Sequence, residues 1–281
     1  MVKIEASQVA LTELSYPAVR LRAAVALQGG FPVLAGATLE VQPGEVVLLQ
    51  GANGAGKTSL LRTCAGLLAI VSGRAIVLGC DLSVDRRGVR RRIGLMGHAT
   101  ALYDDLTVED NVRFAVEAAR GERAAVGPAL ARLGLDGRLR TVAVRRLSAG
   151  QRRRTALAAL VARRPELWLL DEPHAGLDAE YRDLLDGVIR QAAAGGSAVV
   201  IASHERERAS ALADRVLTMA GGLVLAGPTA GPSATATGFG GEPAGALRQG
   251  DSNEALAPSV GSGGAAGGIF PARDLEAAHV A

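Results

Sequence analysis

The chain has 281 residues, of which 48% are hydrophobic, 21% charged and 3% aromatic, a balance typical of a soluble globular protein with one or two domains. Its formal net charge of +3 is too small to require nucleic acid or another polyanion as a partner. The two cysteines, Cys64 and Cys80, form no CxxC or Cys/His cluster, which argues against a disulfide framework or a zinc site and suits a reducing compartment.

The N-terminal stretch MVKIEASQVALTEL lacks the long apolar core of a signal peptide. No stretch of the sequence approaches the ~20 apolar residues that are needed to cross a bilayer. If the protein works at a membrane, we therefore expect a separate chain to span that membrane.

Short apolar runs alternate with helical patterns from about Val19 to Gly227, which predicts an α/β fold. The first part, to about Glu45, is expected to form irregular antiparallel strands. Three later runs predict buried strands of a mainly parallel sheet: EVVLLQ (45–50), ELWLLD (166–171) and SAVVIAS (197–203). Each run is followed by a predicted helix, at 57–69, 179–194 and 205–213.

The stretch between about Leu102 and Arg164 has a wholly helical pattern, which indicates an α-helical subdomain inserted at about 99–164. Further along the chain, RVLTMAGGLVLAG (215–227) predicts a closing hairpin. From Pro228 onward the sequence is rich in Pro, Gly, Ser, Ala and Thr and has almost no apolar periodicity. Such a segment cannot bury enough surface to offset its ordering entropy. We therefore predict one ordered domain at 1–227 and a disordered tail at 228–281.

A glycine loop follows the first predicted parallel strand and matches the phosphate-binding pattern G-x-x-x-x-G-K-[ST]. Its glycines let successive backbone N–H groups turn toward phosphate oxygens, and the start of the next helix adds positive potential. The chain has 31 basic residues, and Lys57 is one of only two lysines among them, which fits a position where a compact ammonium is needed between terminal phosphates. The candidate nucleotide-binding residues are Gly51, Ala52, Asn53, Gly54, Ala55, Gly56, Lys57, Thr58 and Ser59.

Acidic residues at the end of LWLLDEP (167–173) complete a candidate catalytic site. Asp171 is placed to hold Mg²⁺ through water, and Thr58 offers a hydroxyl to the same ion. Glu172 is the candidate that orients and polarises an attacking water molecule. His204, at the end of the third parallel strand, could contact the terminal phosphate, although a lone histidine in such a place is more often structural.

The stretch LSAGQRRR (147–154) lies upstream of these acidic residues. Ser148 can cap the helix that follows, and Gly150 lets the backbone approach an anion. Taken alone, this stretch is a helix start with a solvated face of arginines.

Together these motifs resemble the nucleotide-binding subunits of ABC transporters. GANGAGKT resembles the Walker A loop, LSAGQ the ABC signature, LWLLDEP the Walker B strand and AGLD (175–178) the D-loop, while His204 resembles the switch histidine. The resemblance implies a phosphate-loop NTPase core with a mainly parallel sheet, an N-terminal antiparallel β-subdomain and an inserted helical subdomain. It also implies ATP and Mg²⁺ as cofactors, and a head-to-tail homodimer. Each ATP would be closed off by residues of the opposite subunit: Ser148, Ala149, Gly150, Gln151 and Asp178.

A narrower resemblance is to the haem exporter ATPases of cytochrome c maturation. Those proteins tend to carry LSAGQ, as here, and Gly-His where most relatives have a glutamine before the helical subdomain; His98 occupies that position and is a further catalytic candidate. The Asp104–Val112 stretch resembles the surface that receives a membrane partner. This resemblance implies separate transmembrane permease subunits and a peripheral location at the cytoplasmic face of the membrane.

One departure from the family pattern precedes the glycine loop, and several alternative functions remain open at the sequence level. No tyrosine precedes the loop where most families stack adenine; Gln28 aligns best there and Phe31 is the nearest aromatic residue. Exporters of drugs, lipids or ions are an open alternative. A soluble ABC ATPase acting on nucleic acid or ribosomes is less favoured, because such proteins normally carry a second cassette or long insertions. A phosphate-loop kinase would leave LSAGQ unexplained.

Overall fold

The protein is described from a computed structural model that covers residues 16–97 and 99–225. The predicted tail at 228–281 and His98 lie outside the described residues, so the domain limits 1–227 and 228–281 stay predictions. Within the described ranges the strands are β1 Val19–Gln28, β2 Phe31–Val41, β3 Val46–Gln50, β4 Ile70–Val77, β5 Cys80–Asp81, β6 Ile93–Met96, β7 Leu167–Asp171, β8 Ala198–Ala202, β9 Arg215–Ala220 and β10 Leu223–Leu225.

Six α-helices accompany these strands in the described part of the chain. They are α1 Lys57–Cys64, α2 Val108–Ala118, α3 Val126–Arg132, α4 Ala149–Arg163, α5 Ala179–Ala194 and α6 Arg206–Leu212. Short 3₁₀ helices lie at Gly88–Arg91, Arg123–Ala125, Gly137–Thr141 and Val144–Arg146. The stretch between about 102 and 164 is helical, as its sequence pattern predicts.

The larger sheet has six strands in the order β10-β9-β3-β8-β7-β6. All neighbouring pairs from β9 to β6 are parallel, and β10 pairs antiparallel with β9. The predicted parallel strands and the closing hairpin are therefore confirmed. β8 is buried along its whole length, which explains why its sequence is continuously apolar rather than alternating.

Successive residues of the central strands point to opposite faces of the larger sheet. On β3, Val47 and Leu49 join an apolar cluster with α1 and the strands of the second sheet. Val46 and Leu48 join another cluster on the other face, together with α2, α3, α4 and α5. The parallel sheet is therefore covered on both faces, and the ends of its strands are left for a site.

The smaller sheet is antiparallel, with the order β2-β1-β4-β5, and confirms the predicted N-terminal β-subdomain. Its pairing is irregular where β1 passes β4, because the register shifts between Arg22 and Val25. Ala23 at this bulge has φ 46°, and Gly73 opposite has φ +80°. The sequence pattern predicts no strand at the positions of β4, β5 and β6.

The helix after the glycine loop is shorter than predicted, because α1 ends at Cys64 instead of continuing to residue 69. Gly66, with φ +67°, forms a Schellman end: the Leu67 N–H donates to the Arg62 carbonyl at 2.9 Å and the Gly66 N–H to the Thr63 carbonyl at 2.9 Å. A Cβ at Gly66 would stand 2.2 Å from the Arg86 carbonyl oxygen. Glycine is therefore required for both the turn and the close approach.

The bulge opposite Gly73 yields a test of the smaller sheet. A Cβ added at Gly73 would stand 2.1 Å from the Ala23 carbonyl oxygen, whereas Gly79, with φ +78°, has nothing within 4 Å. Gly73→Ala should lower the free energy of unfolding by about 3 kcal/mol or more, since strain and clash combine. Gly79→Ala, the matched control, should cost about 1–2 kcal/mol from backbone strain alone. Denaturant unfolding measures both values, and equal losses would contradict the predicted clash.

Candidate functional site

Three segments meet at one edge of the larger sheet, beyond the carboxyl ends of β3, β7 and β8. Their register sets the meeting point, because Leu49 and Asp171 both pair with Ala202. β3, β7 and β8 therefore end side by side. The glycine loop, the acidic pair and His204 follow these ends. In parallel α/β sheets this edge is where ligands bind.

The glycine loop folds around the ammonium of Lys57, which is buried. Lys57 Nζ donates to the carbonyl oxygens of Gly51 at 2.7 Å and Ala52 at 3.1 Å. Gly51 and Gly56 need glycine for space, since an added Cβ would stand 2.3 Å from the Met219 carbonyl oxygen and 2.7 Å from that of Val33, respectively.

The other residues of the loop differ in their exposure to solvent. Ala52, Asn53 and Gly54 are exposed, whereas Ala55 is buried and its carbonyl accepts the Gly222 N–H at 3.0 Å. Ser59 lies in the first turn of α1, which starts at the loop. The loop therefore presents backbone N–H groups and the positive end of a helix at one place, an arrangement that binds anions.

The Thr58 hydroxyl donates to Asp171 Oδ2 at 2.7 Å. This contact joins the start of α1 to the end of β7, across residues that are far apart in the sequence. A hydroxyl and a carboxylate oxygen are hard oxygen donors of the kind that Mg²⁺ prefers. The residues present therefore fit the magnesium ion that the sequence motifs imply.

Glu172 and His204 form the other close pair of the site. Glu172 Oε1 lies 2.8 Å from His204 Nδ1, and the His204 side chain is 70% exposed. Glu172 Oε2 also accepts the Ser203 hydroxyl at 3.3 Å and the His204 N–H at 3.4 Å. The Glu172 backbone has φ +48°, a left-handed conformation that costs free energy in a residue other than glycine and is often found at functional sites.

The LSAGQ residues form a separate group at the start of α4. The Ser148 hydroxyl accepts the Gln151 N–H at 3.2 Å and Gln151 Oε1 accepts the Ser148 N–H at 3.0 Å, which together make a capping box. The predicted cap is thus confirmed. Ala149 and Gly150 form the first turn of α4.

Asp178 caps the next helix on the same side, because its Oδ1 accepts the Tyr181 N–H at 3.0 Å. A Cβ at Gly150 would stand 3.4 Å from the Gly176 carbonyl oxygen, so the LSAGQ turn lies beside the turn before α5. Among the described residues, no hydrogen bond joins the LSAGQ residues or Asp178 to the glycine loop. The chain therefore holds two groups of site residues, one at Lys57 and one at Ser148.

Arg153 is a site-supporting residue that the sequence analysis missed. Its side chain is 6% exposed and donates to the carbonyls of Gly97 at 2.8 Å, Asp171 at 3.3 Å and Pro173 at 3.5 Å, as well as to that of Glu172. Burial lowers the pKa of its guanidinium, and the charges of Asp171 and Glu172 act in the opposite direction. Arg153 thus links α4 by hydrogen bonds to the backbone of Asp171 and Glu172.

The solvated arginine face that LSAGQRRR suggests is therefore wrong for Arg153. Arg152 is partly exposed and pairs with Asp104 at 2.6 Å, and the Arg154 guanidinium stacks 3.9 Å above the Tyr181 ring. One signal could have singled out the middle arginine. It stands three, four and seven residues before the buried Ala156, Leu157 and Leu160, on the apolar stripe of the helix.

The contacts of Arg153 give a prediction on stability. Arg153→Met keeps most of the apolar stem but leaves several buried carbonyls without their donor, so the free energy of unfolding should fall by about 2–4 kcal/mol. Arg152→Met is the matched control, because it removes an ion pair with an exposed aspartate and should cost less than about 1 kcal/mol. Denaturant titration compares the variants, and a similar small loss in both would refute the structural role of Arg153.

Comparisons with known proteins agree with this geometry. A family model described as ABC transporter matches residues 34–175. The chain is 44% identical over 169 residues to the cytochrome c biogenesis ATP-binding export protein CcmA of Bordetella bronchiseptica, covering 59% of this chain and 75% of that protein. It is 41% identical over 191 residues to the protein of the same name from Xanthomonas campestris, covering 67% of this chain and 87% of that protein.

Solved structures show the same fold. The ATP-binding subunit of an ABC transporter superimposes with a TM-score of 0.71 and 25% identity, over 75% of this chain and 90% of that chain. The ATP-binding cassette MJ0796, solved as a dimer bound to ADP and Pi in a post-hydrolysis state, gives a TM-score of 0.67 at 23% identity, over 73% of this chain and 96% of that chain.

Proposed function

This chain belongs to the ATP-binding family of ABC transporters, and on that premise we propose that it hydrolyses ATP to drive export in cytochrome c biogenesis. The observation that carries the ATPase part is the meeting of the Thr58–Asp171 and Glu172–His204 pairs beside the Lys57 loop. The export pathway is supported by the names of the similar proteins. Haem is the cargo that the sequence resemblance implies.

We assign the glycine loop, Gly51 to Ser59, to the phosphates of ATP. The backbone N–H groups would cradle the phosphate oxygens, and the Lys57 ammonium, now held by two carbonyls, would lie between the terminal phosphates. Thr58 and, through water, Asp171 would hold Mg²⁺. The ion, when bound, neutralises charge on the phosphates and so favours attack at the terminal phosphorus.

In the proposed reaction Glu172 orients and polarises the attacking water molecule. Glu172 contacts His204 at 2.8 Å and the imidazole is 70% exposed, so we assign His204 to contact with the terminal phosphate. His98, the third catalytic candidate, lies outside the described residues, and its role stays a prediction.

The second half of the site would come from another copy of this chain. Ser148, Ala149, Gly150, Gln151 and Asp178 would close over the ATP held by the partner's loop. Two observations support this division. The LSAGQ residues stand at a well-formed helix start, and a cassette with the same fold was solved as a dimer. ATP binding would then drive closure of the pair, and hydrolysis would release it.

Transport requires a membrane-spanning partner, which we propose to be a set of separate permease subunits. None of the helices within 16–97 and 99–225 combines the length and the apolar character that a membrane crossing demands. The Asp104–Val112 stretch is the proposed docking surface. Tyr103 and Phe114, which flank this stretch on its two sides, form an exposed edge-to-face pair with ring centroids 5.0 Å apart. We propose a peripheral location at the cytoplasmic face of the membrane.

The role of Glu172 gives the direct test of the ATPase assignment. Glu172→Gln keeps the shape of the side chain but removes the basic carboxylate, so ATP should still bind while turnover falls by about 100-fold or more. The variant should also accumulate as an ATP-bound dimer. Steady-state hydrolysis, nucleotide binding and size-exclusion chromatography measure these outcomes.

Glu166→Gln is the matched control, because the same change is made just before the opposite end of β7, where Glu166 pairs with Arg92 at 2.6 Å on the surface. Its turnover should stay within about twofold of wild type. Wild-type turnover in Glu172→Gln would dismiss the assigned role, and a Glu172→Gln chain that stays monomeric with saturating ATP and magnesium would dismiss the shared site.

The export pathway is tested by purification of the full chain from its native membrane in mild detergent. We expect an integral membrane protein to accompany it, and we expect haem in the complex. A permease without haem would indicate an exporter of another class, and ribosomes or nucleic acid in place of a permease would overturn the proposal.

A further inference from the structure

A single buried carboxylate, that of Asp186 on α5, connects the two segments that carry Glu172 and His204. Asp186 Oδ1 lies 2.7 Å from His174 Nε2, and Asp186 Oδ2 accepts a hydrogen bond from Arg208 Nη1 at 2.6 Å. His174 is 1% exposed and Asp186 8%. His174 follows Glu172 by two residues, and Arg208 follows His204 by four.

A second residue of α5 contacts the same two segments. Arg182, one turn before Asp186, donates to the Leu177 carbonyl at 2.9 Å and to Glu205 at 3.4 Å. Residues four apart lie on one face of a helix. Arg182 and Asp186, one turn apart on this face of α5, therefore each contact both the segment after β7 and the segment after β8.

A contribution to stability does not explain why a histidine is buried at position 174. His174 Nδ1 is buried and has no hydrogen-bond partner in the described structure, and an unpaired buried nitrogen is a cost to the folded state. An apolar side chain of similar size would avoid that cost. What the imidazole contributes is its bond to Asp186, which fixes the turn immediately after Glu172.

We propose that Asp186 is a positioning residue for ATP hydrolysis: through His174 and Arg208 it sets the placement of Glu172 relative to His204. The inference rests on the proposed function, because it concerns the same pair of side chains. The strained Glu172 backbone, at φ +48°, needs its surroundings to hold it. Asp186 supplies this support through His174 and Arg208, and within the described residues it makes no hydrogen bond or ion pair with Glu172 or the glycine loop.

Asp186→Asn tests the proposal. The amide keeps the size of the side chain but removes the charge that holds Arg208, so kcat for ATP hydrolysis should fall on the order of tenfold, because a small misplacement of reacting groups costs rate. ATP is held by the separate Lys57 loop, so the affinity for ATP should stay at its wild-type value.

Asp183→Asn is the matched control, since Asp183 also pairs with Arg208, at 2.9 Å, but its side chain is 72% exposed. It removes the same charge from the same helix, and its kcat should stay within about twofold of wild type. Arg208→Gln is the second variant, in case Asp186→Asn does not fold. It removes the other arm of the network at a partly exposed position, and it should lower kcat in the same way.

Hydrogen exchange gives a readout that does not depend on hydrolysis. Backbone amides at 172–178 and 203–208 should exchange faster in Asp186→Asn than in Asp183→Asn. Wild-type kcat in both Asp186→Asn and Arg208→Gln would overturn the proposal, as would a loss confined to ATP affinity. If the wild-type chain itself hydrolyses no ATP, the proposed function fails and takes the positioning role with it, and the exchange rates then show whether the connection itself exists.

Discussion

The register of three parallel strands is the constraint on which the rest of the molecule depends. Leu49, Ala202 and Asp171 lie at one level across β3, β8 and β7, so the segments that follow these strands begin side by side. Each strand is buried on both faces, and a slip of one residue would exchange its two sets of apolar side chains between the clusters. Apolar packing thus fixes the polar geometry: the Thr58–Asp171 and Glu172–His204 contacts form where the buried strands end.

Around that edge the chain is held mainly through backbone carbonyls. The carbonyl of Val33 on β2 and that of Met219 on β9 pass so close to the glycine loop that only glycine fits at Gly56 and Gly51. The Arg153 guanidinium also contacts backbone carbonyls, to which it donates hydrogen bonds. Backbone atoms are placed by the secondary structure itself, so both sheets and α4 contribute directly to the shape of the site.

This reliance on backbone contacts explains how far the sequence could predict the structure. The three parallel strands β3, β7 and β8, the whole of α5 and the cap at Ser148 follow from local pattern. The proximity of Thr58 and Asp171 follows from the motifs that contain them. β4 was missed because exposed residues interrupt its apolar run, IVSGRAIV. Arg153 and Asp186 were missed because charged residues are normally exposed, and their partners are carbonyls or side chains that adjoin them only in the folded chain.

The same contacts determine which parts of the molecule move together. Arg153 lies five residues after Ser148 on α4 and bonds to the carbonyls of Gly97 and Glu172. Gly97 leads into the loop before the proposed Asp104–Val112 docking surface, and Glu172 belongs to the pair to which we assign hydrolysis. A displacement of the start of α4, as closure of the proposed dimer would impose, therefore acts on the backbone of both segments through one buried side chain. Within a single subunit, one buried side chain thus joins the segment before the proposed docking surface to the segment that carries Glu172.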